Sequence, residues 1–153
     1  MTHAVRAQSA SRILAIDYGR RRIGLALSDE LRLTAHPLGT LHRKNRRDDL
    51  RRLRALIREH AVAQMIVGHP LLLDGSAGPM AEEAAGFARR LEKEFRLPVE
   101  LVDERLTSWE AEEMLSSGDT STRKRGGAVD RTAAAVLLRE YLTRHHSKRD
   151  SKA

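Results

Sequence analysis

Residues 12–29 read RILAIDYGRRRIGLALSD. Two apolar runs, Ile13–Ile16 and Ile23–Leu27, flank a turn that contains Gly19 and three consecutive arginines, Arg20, Arg21 and Arg22. Apolar runs on either side of a glycine-containing turn predict an antiparallel hairpin, with a connection longer than the minimal two residues. The first run stops at Asp17, a carboxylate at the end of what the pattern makes a buried strand.

Working outward, LRLTAHPLGTL (31–41) supplies a third strand, with Pro37 marking its edge or end. From Arg46 to Glu59 the spacing is helical: Leu50, Leu53 and Ile57 line one face, and Arg47, Arg51, Arg54 and Arg58 line another. That arginine stripe is either a solvated face or a groove contact. VAQMIVGHP (62–70) is a nearly continuous apolar strand of the kind found inside a sheet. A turn follows, then a helix with Gly78 as N-cap and Pro79 at its first position. LPVELVDE (97–104) is the fifth strand. Thr107 and Glu110 then form a capping box, which starts a helix running to about Ser117. SGDTSTRKRGG (117–127) has no periodicity and reads as a loop. A last helix, Ala128 to about Arg144, buries Val129, Ala133, Val136 and Leu137.

Three strands followed by alternating helices and strands imply one α/β domain, residues 12–142, with a mixed sheet and helices packed on its faces. Residues 1–11 and the basic segment 143–153 read as flexible tails. No cysteine is present, which removes disulfides and thiolate metal sites. No apolar run approaches a membrane span and the first residues lack the apolar core of a secretory signal, so the expectation is a cytoplasmic protein with no membrane partner. The net charge is +7, but only +3 of it falls within residues 12–142. Arginines outnumber lysines 23 to 5, which suits bidentate phosphate contacts but also follows from a GC-rich coding bias.

Three acidic sites stand where a core would not place them. Asp17 ends the first strand, Asp103 and Glu104 end the fifth, and Asp130 lies in the first turn of the last helix, in line with Ala134, Leu137 and Tyr141. Carboxylates at the edge of buried apolar surface are costly unless paired, hydrogen-bonded or bound to a metal. The carboxyl ends of strands are also where ligand sites form in α/β sheets. Three hard oxygen ligands without cysteine suit Mg²⁺ or Mn²⁺. Two such ions about 4 Å apart serve phosphodiester cleavage. Each acid also has an ordinary structural use: an Asx turn at Asp17, a helix N-terminal acid at Asp130, and an ion pair of Asp103 or Glu104 with Arg105 or with one of the turn arginines.

ILAIDYGRRRIGLALSD, VGHPLLLDGS, LVDERLTSWEAEEML and AVDRTAAAVLLREYL resemble the four landmark segments of the YqgF/RuvX family. These are Holliday junction resolvase-like nucleases with a ribonuclease H-like fold, also described as pre-16S rRNA nucleases. The resemblance covers about Ile13 to Leu142. It implies a five-stranded mixed sheet flanked by helices and a metal-dependent nuclease. Carried over by position, its catalytic and metal-binding acids are Asp17, Glu104 (with Asp103 adjacent) and Asp130. The family often has Leu-Pro-x-Asn after the strand glycine; here the residues are His69-Pro70-Leu71-Leu72, which removes a polar side chain from that neighbourhood.

For holding nucleic acid, Arg20, Arg21 and Arg22 follow Asp17 directly, and Arg123, Lys124 and Arg125 lie in a basic loop leading to Asp130. Gly75-Ser76 before a helix offers backbone amides to a phosphate. His36, His42, His60 and His69 show no metal-ligand spacing. Aromatic residues make up 3% of the chain, which argues against base stacking and for recognition of backbone shape and charge. A structured precursor rRNA or a branched DNA both fit. The three functional readings are an endonuclease in 5′-end maturation of pre-16S rRNA, a Holliday junction resolvase, and a nucleic-acid-binding module that cleaves nothing. A two-fold-symmetric junction favours a homodimer, whereas an RNA leader needs only a monomer. Strand alternation sends Asp103 and Glu104 to opposite faces without saying which one meets Asp17. The resemblance favours Glu104.

Overall fold

A computed structural model of the protein describes residues 11–104 and 126–152, and within the latter the side chains of 133–146. Five strands form one sheet: β1 (Arg12–Asp17), β2 (Arg22–Ser28), β3 (Ala35–His42), β4 (Val62–His69) and β5 (Val99–Asp103). Their order across the sheet is β3-β2-β1-β4-β5. The β1–β2 and β2–β3 pairs are antiparallel, and the β1–β4 and β4–β5 pairs parallel. The mixed sheet expected from the element order is thus present. Pro37 sits in β3, an edge strand, where its missing N–H breaks no inner ladder. Beside it the β2–β3 register slips between Leu25 and Ala26, and Gly39 takes φ 141°.

Helix α1 (Arg46–Glu59) links β3 to β4, and α2 (Pro79–Phe95) links β4 to β5. The Asn45 side chain caps α1 by accepting from the Asp48 amide at 2.8 Å. Gly78 is the N-cap of α2 and Pro79 its first residue; Arg96 ends the helix in the left-handed region at φ 54°. Both helices lie on the face carrying Leu14, Ile16, Met65 and Val67, against which Leu53, Ala84, Phe87 and Leu91 pack. Truncating the wholly buried Leu53 to alanine would cost about 3 kcal/mol.

The opposite face carries Ile13, Ala15, Ala26, Ile66 and Val102, and is covered by helix α3 (Gly126–Lys152) through Ala134, Leu137, Leu138, Tyr141 and Leu142. Val136 and Leu137 are buried as the spacing predicts, while Ala133 is only half-buried. The helix also continues past Arg144, where the apolar pattern stops, through most of the segment set aside as a flexible tail. Propagating an established helix adds one hydrogen bond per residue and needs no apolar residue, so loss of pattern does not mark its end.

Tyr141 fixes the direction of α3. Its hydroxyl donates to Glu100 Oε1 at 2.9 Å and accepts from Gln64 Nε2 at 2.8 Å, near the starts of β5 and β4. Helix α3 therefore runs against those strands, with its first turns towards their carboxyl ends. Asp130 lies about 16 Å along the helix from Tyr141, and Glu104 about 13 Å along the strand direction from Glu100. The backbone of Asp130 is thus carried to the end of the sheet where Asp17 and Glu104 stand. Among the described residues no helix is long and apolar enough to cross a membrane.

Candidate active site

The site grows from three parallel strand ends. Ile16 of β1 pairs with Val67 of β4, and Gly68 of β4 pairs with Val102 of β5. Side chains alternate along each strand. Ala15, Ile66 and Val102 face α3, so Asp17, Gly68 and Glu104, each two residues on, share that face. The Glu104 amide donates to the His69 carbonyl at 3.2 Å, which carries the ladder one step past β5 and keeps the alternation intact.

Gly68 makes room for the carboxylate. A Cβ added there would stand 2.7 Å from the Glu104 carboxyl carbon and 2.9 Å from its Cγ. The Glu104 side chain thus lies across the bare backbone of β4 and reaches Asp17, to which it is hydrogen-bonded. Burial pushes the Glu104 carboxyl up to about 8; the charge of Asp17 and the hydrogen bond to it add to this, and the charge of Asp103 adds further. At neutral pH the Asp17–Glu104 pair therefore holds one shared proton. Two carboxyl groups that share a proton because they stand too close to ionise together form a hard-oxygen donor pair, and a divalent cation satisfies both.

Asp17 also opens onto a basic groove of about 370 Å³, lined by Tyr18, Gly19, Arg20, Arg21, Arg22 and Met80. The three turn arginines flank the acid as the sequence order suggests, but they are not equivalent. Arg20 Nε donates to both carboxylate oxygens of Glu83 on α2, at 3.1 and 3.0 Å, and Tyr18 donates to Glu83 at 3.4 Å. Arg21 and Arg22 are exposed.

The turn itself is held by Arg43. Its Nη1 donates to the Gly19 carbonyl at 3.0 Å and its backbone amide to the Arg21 carbonyl at 2.9 Å. Its Nε donates to Asp49 Oδ2 at 2.8 Å, and Asp49 is wholly buried. The guanidinium lies 5.0 Å from the Tyr18 ring centre and 5.7 Å from that of Phe87.

The model of the RuvX family, described as Holliday junction resolvase, matches residues 11–144. The chain belongs to the RuvX family. A relative from Koribacter versatilis, named "Putative pre-16S rRNA nuclease", is 49% identical over 139 residues, covering 91% of both chains. One of the same name from Syntrophus aciditrophicus is 49% identical over 131 residues, 86% of this chain and 87% of its own. Among solved structures, Thermus thermophilus RuvC in complex with a Holliday junction substrate matches with TM-score 0.54. That match covers 88% of this chain and 96% of RuvC at 14% identity, a likeness of fold.

In this RuvX chain, Asp17 and Glu104 meet, and Asp103 ends β5 on the opposite face. Asp130 is on α3, its side chain outside the described residues. Arg123, Lys124, Arg125 and the helix expected from Thr107 to Ser117 also lie outside the described residues. Among the described residues no three His, Asp or Glu side chains gather as a metal site. The Gly75-Ser76 amides are engaged internally. Gly75 donates to the Leu72 carbonyl at 2.8 Å and Ser76 to Asp74 Oδ1 at 2.9 Å, so this turn does not present the free phosphate cradle the sequence raised.

Four residues that shape the site were not singled out by sequence reasoning: Gly68, Arg43, Asp49 and Glu83. Only Gly68 carried a readable signal, since a glycine inside a strand marks a close approach.

Proposed function

We propose that the chain is a cytoplasmic, divalent-metal-dependent endonuclease that cleaves phosphodiester bonds in 5′-end maturation of pre-16S rRNA. The observation that carries the reading is the Asp17–Glu104 pair: two carboxyl groups that meet from the strand ends on either side of β4, one buried over Gly68, beside a groove of arginines. The names borne by the 49%-identical relatives point the same way.

In this mechanism Asp17, Glu104 and Asp130 would hold Mg²⁺ or Mn²⁺. When bound, the metal supplies Lewis-acid polarisation of the phosphate and a water of lowered pKa. With a cation bound, the proton shared by Glu104 and Asp17 would pass to solvent, and both carboxylates would present charged oxygens to it. Arg21 and Arg22 hold the phosphates next to the acids, Arg20 braces the turn through Glu83, and Arg123, Lys124 and Arg125 hold the strand on the Asp130 side. Arg43 keeps the Gly19 turn in place, so that Asp17 does not drift from Glu104.

A second reading, a Holliday junction resolvase acting as a homodimer, is favoured by the family description and by the likeness of fold to RuvC. The test is to offer the purified protein a pre-16S rRNA 5′ leader and a four-way DNA junction, with Mg²⁺ and with Mn²⁺. Cleavage of the leader alone supports rRNA maturation by a monomer or dimer. Symmetric nicking of the junction alone supports the resolvase. Binding without cleavage of either, with both metals, leaves a nucleic-acid-binding module.

A further inference from the structure

We propose that a basic track, running from Arg21 and Arg22 beside Asp17 to Lys44, Arg46 and Arg47 at the start of α1, holds the sugar–phosphate backbone of the substrate strand as it leaves the acids. This rests on the nuclease reading and adds to it a surface on the far side of the hairpin.

The path is set by the sheet. Asp17 pairs with Gly24 of β2, and Arg22 pairs with His42 at the end of β3. β1 and β3 end on the same side, two ladder spacings or about 10 Å apart, and the chain then passes through Lys44 into α1. Arg43 ties both ends together by holding Gly19 and Arg21 on one side and Asp49 of α1 on the other. The hairpin turn and the start of α1 are therefore tied to each other beneath the track.

The start of α1 carries an excess of positive charge. Residues 43–54 contain seven basic and two acidic side chains. Both acids are already engaged: Asp49 by Arg43 at 2.8 Å, and Asp48 by Arg51 at 2.6 Å and Arg52 at 3.6 Å. Arg46 and Arg47 open onto a groove of about 600 Å³ whose one acid, Glu94, is paired with Arg54. Among the described residues Arg21, Arg46 and Arg47 have no ion-pair partner, and all three are exposed.

The first turn of α1 holds Asp48 and Asp49, as the positive end of the macrodipole favours, but both are engaged by arginines, so Lys44, Arg46 and Arg47 leave a positive excess at that helix end. A polyanion lying along the track offsets that excess and releases counterions as it binds.

The test compares wild type, Arg46→Ala/Arg47→Ala and, as a control, Arg58→Ala, whose position lies about 18 Å along α1 from Arg46. Affinity is measured against salt in EDTA for two RNA stem-loops: one long enough to run from the acids past α1, the other trimmed to end at the hairpin groove. Circular dichroism and melting confirm that each variant is folded. The double variant should lower the log–log salt slope by about 1.5 on the long RNA and leave the short RNA unchanged, with Arg58→Ala like wild type on both. An unchanged slope on the long RNA overturns the track. So does an equal loss on both RNAs, or an equal loss in Arg58→Ala, since either would mean general charge attraction. If wild type cleaves nothing, the nuclease reading fails, but the salt slopes still decide the track.

Discussion

The carboxyl group of Glu104 lies over Gly68, in the space that a side chain at residue 68 would fill. One missing methyl group on β4 thus lets an acid from β5 cross to Asp17 on β1. Gly68→Ala should leave the fold intact, because the Glu104 carboxyl can swing aside. The carboxyl would then no longer reach Asp17, and a displacement on the order of 1 Å at a reacting centre lowers the rate about 100-fold. Wild-type-like melting with that loss of metal-dependent cleavage is the expected result.

The same crowding makes the metal-free protein sensitive to pH. The Glu104 carboxyl titrates at about 8 in the folded chain, above its ordinary 4.5, because it is buried and faces Asp17. Below about pH 4.5 it is protonated both folded and unfolded. Between there and about 8 the unfolded chain loses the proton first, so the unfolded state gains and stability falls as pH rises. In EDTA, melting temperature should decline across that window, and Glu104→Gln should flatten the decline. Mg²⁺ or Mn²⁺ should raise the melting temperature most at the alkaline end, where the carboxylate is already ionised.

Arg43 should matter to stability and to the site together. Removing one partner of a buried ion pair leaves the other uncompensated, at a cost of about 3–5 kcal/mol. Arg43→Ala leaves Asp49, wholly buried, in that position and also frees the Gly19 carbonyl. Denaturant unfolding should show a loss of that order. Arg43→Lys should recover part of the stability, since an ammonium reaches Asp49 but cannot also bridge to Gly19 in the same fork.

These residues also mark how far the sequence could be read. Five strands, the helix spans Arg46–Glu59 and Pro79–Phe95, the Gly78 cap of the second and an edge strand at Pro37 follow from period, turn chemistry and the missing proline N–H, all local properties. Asp17 and Glu104 were visible as candidates because each acid stands at the end of an apolar run. The choice between Asp103 and Glu104 was not legible from alternation, which separates two faces without saying which one carries Asp17. That depends on the parallel register of β1, β4 and β5. Gly68 acquires meaning only when Val102 is placed opposite it. Arg43 and Asp49 pair across a helix cap, with no periodicity to announce them. The end of α3 was missed because helix propagation outlasts the apolar pattern.

Glu83 offers a separate check on the turn arginines. It holds Arg20, and its carboxyl is kept below the usual range by that hydrogen bond first of all. Glu83→Gln should weaken this hold and raise KM for the nucleic acid more than it lowers kcat, as expected if Arg20 braces the groove. A loss confined to kcat would place Glu83 at the chemistry instead.

Glu104, not Asp103, is the acid proposed to join Asp17 in holding the metal. The most direct measurement is the Mn²⁺-dependent cleavage rate of Glu104→Gln and Asp103→Asn beside wild type, on whichever of the two nucleic acids the wild type cuts. This assignment predicts near-complete loss in Glu104→Gln and a substantially smaller loss in Asp103→Asn. Wild-type cleavage by folded Glu104→Gln, or a deeper loss in Asp103→Asn, would contradict it.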